Sequence, residues 1–215
     1  MPPTQTPLQP PADYFAVFGL PRKLHIDLPD LERTFYRLSR KFHPDVYAQR
    51  SSEEQQWSLD QTSLLNDAYR TLKNPVTRTE YLLGLEGVVL EAGKKEEGAP
   101  KDSRVPPDLL EEVFELNMQL EEMRMNRKMG EDDPQLRGDL EKARANFESQ
   151  LSALDSNLQE QWIRWDAALD AKAADEKTKI KKDELDTIKA GMVALLDRRR
   201  YIRNLVRDVN DTLEA

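Results

Sequence analysis

The chain has 215 residues, 38% hydrophobic and 33% charged, with a mean hydropathy of −0.76, which leaves room for one or two polar, soluble-type domains. Its 32 Lys and Arg against 40 Asp and Glu give a formal net charge of −8, a poor balance for wrapping nucleic acid. The absence of cysteine excludes disulfides and thiol chemistry, and two histidines, His25 and His43, leave too few ligands for an ordinary zinc site. No stretch approaches 18 consecutive apolar residues, so no membrane span is expected. Residues 1–11, MPPTQTPLQPP, have neither the basic nor the apolar part of a targeting peptide and read as a disordered lead-in. The chain is therefore expected to be cytoplasmic.

Alternating β-branched runs are nearly absent, while apolar residues recur at helical spacing almost throughout, so the predicted class is all-α. The first block spans residues 12–86. Asp13 to Gly19 reads as a short helix with Asp13 near its cap and Gly19 at its exit. A second helix starts near Asp27. Its apolar residues Leu31, Phe35, Leu38 and Phe42 are spaced 4, 3 and 4, and Pro44 stops it. A loop is expected from His43 to Arg50. Ser51 and Glu54 have capping-box spacing and open a third helix to about Leu72, with Trp57, Leu64, Leu65, Ala68 and Leu72 facing the core. Pro75 starts a fourth helix carrying Tyr81, Leu82 and Leu83.

Residues 87–104 hold glycines and a short charge run and read as a linker. Residues 105–215 read as three longer amphipathic helices, enough for a three-helix bundle. The first runs from about Pro106 to Met129. The second, capped by Asp133-Pro134, reaches about Ala174. The last runs from about Glu184 to Leu213 on a stripe of Ile188, Met192, Leu195, Ile202, Val206 and Val209. The basic stretch Lys177 to Lys182 reads as a solvated helix end or turn rather than a nucleic-acid contact.

The segment richest in chemistry is His43-Pro44-Asp45. Arg33, Arg37, Arg40 and Lys41 share an arc of roughly 100°, centred about 140° from the apolar stripe of the same helix. One face thus packs inward, and another offers cations that end at a stiff loop bearing an imidazole and a carboxylate. On spacing alone, a solvated helix face followed by an ordinary proline turn is the favoured reading. A second feature lies on the helix after Pro106. Leu109, Val113, Leu116, Leu120 and Met123 fall within about 40° of one direction and form its core stripe. Leu110, Phe114, Met118 and Met125 form a separate stripe about 100–180° away, and Tyr201 lies similarly off the core stripe of the last helix. Either another helix covers these residues or a partner does.

The His43-Pro44-Asp45 tripeptide is followed by Asn66-x-Ala68-Tyr69-x-x-Leu72-x-x-Pro75-x-x-Arg78-x-x-Tyr81, and together with the basic helix these resemble a J domain. Asp13-Tyr14-Phe15-x-x-Phe18-Gly19-Leu20, the Arg78 to Leu83 ending and the C-terminal helices resemble more particularly the HscB-type J proteins of iron–sulfur cluster assembly, over roughly residues 12–215. The stretch from Gln159 to Glu184 is longer than the pattern of that family. The resemblance implies a J domain at 12–86 and a scaffold-binding helical domain at 105–215. It implies that His43, Pro44, Asp45, Arg33, Arg37, Arg40 and Lys41 contact a DnaK/HscA-type ATPase chaperone and stimulate its ATP hydrolysis. It implies further that Leu110, Phe114 and Tyr201, with Glu115, Met118 and Glu122, contact an IscU-type scaffold. Glu111 stands where the family has Met, and Met118 where it has an acidic residue. No catalytic residue, resident metal, cofactor, nucleic acid or membrane is implied, because the scaffold holds the cluster. A J protein with a different client is the alternative. An enzyme is disfavoured, because no nucleophile, phosphate loop or ligand cluster accompanies His43 and Asp45.

Overall fold

In the computed structural model, residues 13–90, 105–174 and 182–214 are described. The expected lead-in, most of the expected linker and Lys177 to Lys181 lie outside them. Among the described residues every regular element is helical: α1 (Tyr14–Val17), α2 (Leu28–Phe42), α3 (Pro44–Tyr47), α4 (Ser52–Lys73), α5 (Pro75–Leu85), a 3-10 turn (Pro107–Leu109), α6 (Leu110–Met129), α7 (Pro134–Ala174) and α8 (Lys182–Glu214). The all-α expectation holds. None of the described helices is both long and apolar enough to cross a membrane.

The elements start where short-range chemistry starts them. Asp13, Asp27, Ser51 and Asn74 each place a side-chain oxygen on an orphan backbone N–H of the helix that follows. Ser51 and Glu54 form the reciprocal capping box that their spacing suggests. Gly19 turns the chain out of α1 at φ 68°, which lets the Leu20 N–H reach back to the Phe15 carbonyl at 2.9 Å.

By contact the described chain forms two compact units: 13–90 with 162–174 and 182–185, and 105–161 with 186–214. Sequence reasoning assigned 162–174 to the C-terminal domain, whereas here the end of α7 groups with the first unit. In that unit α2 and α4 run antiparallel: Phe42 at the end of α2 meets Ser58 in the first half of α4, while Phe35, midway along α2, stacks on Tyr69 near the end of α4 at 4.2 Å. Phe15, Leu24, Leu31, Leu65, Ala68, Leu72, Leu82 and Leu83 are fully buried. Tyr14 and Tyr81, both part of the motif pattern, stack at 4.4 Å, and the Tyr14 N–H donates to the Tyr81 hydroxyl at 3.0 Å. Burial pushes the Tyr81 phenol pKa up.

The segment from α7 is held by polar bonds that no local pattern announces. Trp165 donates its indole N–H to the Arg22 carbonyl at 3.1 Å. The buried carboxylate of Asp166 accepts the backbone N–H groups of Leu24 and His25 at 2.8 and 2.9 Å, and the His25 Nδ1 lies 3.0 Å from it. His25 is therefore tied into the fold through both its backbone N–H and its ring. Replacing Asp166 by Ala strands two N–H donors in the interior, and urea unfolding is expected to show a loss of about 3 kcal/mol. A loss below about 0.5 kcal/mol would show that water replaces the carboxylate at no cost.

The second unit is a three-helix core. Leu109, Val113, Leu116, Leu120 and Met123 meet Leu136, Leu140, Phe147 and Leu154 of α7 and Ile202, Leu205 and Val209 of α8. The inner stripe expected for α6 is thus buried throughout. In α8 the stripe is shifted: Leu196 and Leu205 are buried, while Leu195 and Val206 are only partly covered. Apolar residues occupy both neighbouring directions there, so periodicity alone permits either choice. Arg199 pairs with Asp155 at 2.6 Å and Arg127 donates to the Thr212 carbonyl at 2.9 Å. Arg198 pairs with Asp108 at 2.7 Å, tying α8 to the turn that leads into α6. Its hydrogen bond holds the Asp108 carboxyl below the usual carboxylate range.

Candidate functional site

His43-Pro44-Asp45 closes α2 and opens α3 at once. The expectation of a plain loop from His43 to Arg50 is corrected here, because Pro44 to Tyr47 make a helical turn. The reason is local. Pro44 sits at the first helical position, where its missing N–H costs nothing, and Asp45 is acidic in the first turn. His43 is the cap, its Nδ1 accepting the Asp45 N–H at 3.3 Å. That bond requires the tautomer with its proton on Nε2. The Asp45 carboxylate lies 3.5 Å from the same ring nitrogen, and its side chain is 90% exposed. The tripeptide therefore presents an almost fully hydrated carboxylate on a backbone that proline and a cap have already fixed.

Arg33, Arg37, Arg40 and Lys41 are all exposed on α2. Arg33 is engaged by Asp30 at 2.9 Å, a bond that raises its pKa further and takes up part of its charge locally. Lys41 lies over the Phe42 ring at 5.4 Å. Among the described residues no carboxylate pairs with Arg37, Arg40 or Lys41, so these three carry the outward cationic field. Tyr36, on the same helix, and Val46, beside Asp45, are large exposed apolar residues. The surface can attract an acidic partner at long range and then offer one carboxylate for a directional bond.

Sequence reasoning missed what holds this surface. The first half of α4 grips both flanks of the tripeptide. The Trp57 ring contacts Phe42 on one side and Tyr47 on the other, at 5.6 and 5.5 Å. The Gln55 amide donates to the Ala48 and Arg50 carbonyls. The hydroxyls of Ser58 and Thr62 both donate to the Phe42 carbonyl, at 2.6 and 3.0 Å. Ser58 and Gln61 are buried. Counting back from Leu72, Ala68 and Leu65 in steps of 3 and 4 reaches 61 and 58, and that signal could have found them.

The second surface is the outer face of α6. Leu110, Phe114 and Met118 are 51%, 68% and 60% exposed, and Met125 and Met129 are similarly open. Glu115 and Glu122 are exposed on the same helix. Tyr201 differs: it is partly buried and packs against the core that the inner stripe of α6 also lines. The apolar side chains of this face are therefore not covered by another helix of the described unit, which answers the question the sequence left open. Among the described residues no group of three or more His, Asp or Glu side chains is placed to hold a metal ion.

No protein-family model matches the chain. Among solved structures it is similar to the chaperone HscB from Vibrio cholerae, with 26% identity and a TM-score of 0.57, over 94% of this chain and 99% of that one. It has the fold of the human co-chaperone protein HscB, with 22% identity and a TM-score of 0.62, over 94% of this chain and 82% of that one. The chain is HscB-like along nearly its whole length, the part bearing His43-Pro44-Asp45 and the C-terminal helices alike.

Proposed function

We propose that this protein is a cytoplasmic J-protein co-chaperone of iron–sulfur cluster assembly. It binds an IscU-type scaffold through the outer face of α6 and Tyr201, and stimulates ATP hydrolysis by a dedicated DnaK/HscA-type chaperone through α2 and His43-Pro44-Asp45. It performs no bond chemistry itself, and the cluster is the scaffold's cargo. The observation that carries the reading is one chain holding both surfaces: an exposed, pre-capped His43-Pro44-Asp45 beside unpaired cations, and an uncovered apolar stripe with acidic neighbours. The similarity to the Vibrio cholerae chaperone, which spans both parts, supports it.

Long-range attraction by Arg37, Arg40 and Lys41 speeds encounter with an acidic chaperone surface. Asp45 then accepts a charge-assisted, geometrically specific pair from a chaperone arginine. Fixing Pro44 in advance lowers the ordering cost of that contact. Holding scaffold and chaperone on one chain turns their meeting into an intramolecular event with a raised effective concentration. The test is a calorimetric titration of the intact chain with the iron–sulfur scaffold of the same source. Saturable binding is expected. Its absence, with chaperone stimulation retained, would leave a J protein serving another client.

A further inference from the structure

We infer that Ser58 and Thr62 are positioning residues for His43-Pro44-Asp45, acting through the Phe42 carbonyl. The inference rests on the co-chaperone reading only for its functional consequence; the structural claim stands on geometry. Helix α2 ends at Phe42, and His43 leaves helical geometry with ψ 130°, so the Phe42 carbonyl is an orphan at a helix end. The next backbone bond, from the Val46 N–H to the His43 carbonyl, already belongs to α3. Two hydroxyls one helical turn apart on α4 meet the stranded oxygen, and the Ser58 side chain is wholly buried.

A carbonyl oxygen has two lone pairs in its plane. Two donors fix the direction of that plane as well as its distance. The plane in question is the Phe42–His43 peptide, the last rigid unit before the tripeptide. Its tilt sets the direction in which His43, Pro44 and Asp45 leave the body of the unit. His43 and Asp45 are themselves exposed, and the contacts that orient them from outside the tripeptide come from α4. Ser58 and Thr62 need not touch a partner to matter: a bidentate pair to Asp45 demands an orientation that they impose.

The test uses the full chain as Ser58→Ala, Thr62→Val and the pair, with Thr62→Ser as the conservative control. Two readouts are taken at a temperature where circular dichroism shows each variant folded. One is the concentration of co-chaperone giving half-maximal stimulation of a DnaK-type ATPase; the other is backbone 15N relaxation at His43, Asp45 and Val46. Each lost hydroxyl is expected to raise the half-maximal concentration about fivefold. The loop order parameters should fall from the rigid range towards about 0.6, and Thr62→Ser should restore both readouts. Thr62→Val nearly preserves shape, so it carries the test if Ser58→Ala impairs folding. Unchanged loop relaxation and unchanged half-maximal concentration in a folded variant would overturn the inference. Failure of the parent chain to stimulate any DnaK-type ATPase contradicts the co-chaperone reading instead, and the relaxation data still decide the positioning claim.

Discussion

Asp45→Asn is expected to abolish stimulation of a DnaK-type ATPase while the helical fold and melting temperature stay those of the parent. The substitution keeps size and shape and removes only the charge. The parent side chain is 90% exposed and touches little beyond the His43 ring, so the fold has almost nothing to lose. The complex has much to lose. Removing one partner of a hydrogen-bonded charge pair that becomes buried on binding costs about 3 kcal/mol, roughly a hundredfold in affinity. His43→Gln acts by a different route. It removes the ring nitrogen that caps the Asp45 N–H and so loosens the turn that aims the carboxylate. It too is expected to remove stimulation with little change in stability. Stimulation within twofold of the parent in both variants would show that the tripeptide is an ordinary turn.

The second large effect falls on α6. Leu110→Ala with Phe114→Ala is expected to weaken scaffold binding about a thousandfold, if each apolar anchor contributes about 2 kcal/mol. Both side chains are mostly exposed in the free protein, so the double variant should unfold at the same urea concentration as the parent. Tyr201 does not allow so clean a test. It is partly buried against the bundle core, and Tyr201→Ala should lower stability as well as affinity. Tyr201→Phe keeps the packing and isolates the hydroxyl. Calorimetry of the four proteins against the scaffold separates these effects. Full binding by the Leu110/Phe114 variant would place the scaffold on some other surface.

The parts of this molecule legible in the sequence are those set by short-range rules. Ser51 with Glu54 caps α4, and Pro134 opens α7 as its spacing from Asp133 suggests, with the helix running on to Ala174. The inner stripe of α6 was readable because five apolar residues share one direction. Its outer stripe was readable because Leu110, Phe114 and Met118 have no reason to be apolar on the water side. His43-Pro44-Asp45 was visible as a tripeptide, but its local form was not. Pro44 both stops one helix and starts another, and a rule that sees only the stop gives a loop.

What could not be read depends on contacts between distant residues. The Ser58 and Thr62 bonds to Phe42 join positions 16 and 20 apart, and a serine on a helix's inner face looks like a defect in the pattern rather than a support. Asp166 meets the Leu24 and His25 amides from more than 140 residues away, and an acidic residue in a long charged helix looks solvated. In both cases a polar side chain is buried because it satisfies a backbone group elsewhere, and periodicity is blind to that.

The two surfaces are expected to act together. The most direct measurement is single-turnover ATP hydrolysis by the DnaK/HscA-type chaperone with this chain alone, the scaffold alone and both together. Linkage through one chain is expected to give stimulation well above the sum of the separate effects, and the Leu110/Phe114 double variant should reduce it to that sum. Additive stimulation by the parent chain would show that the two surfaces work independently.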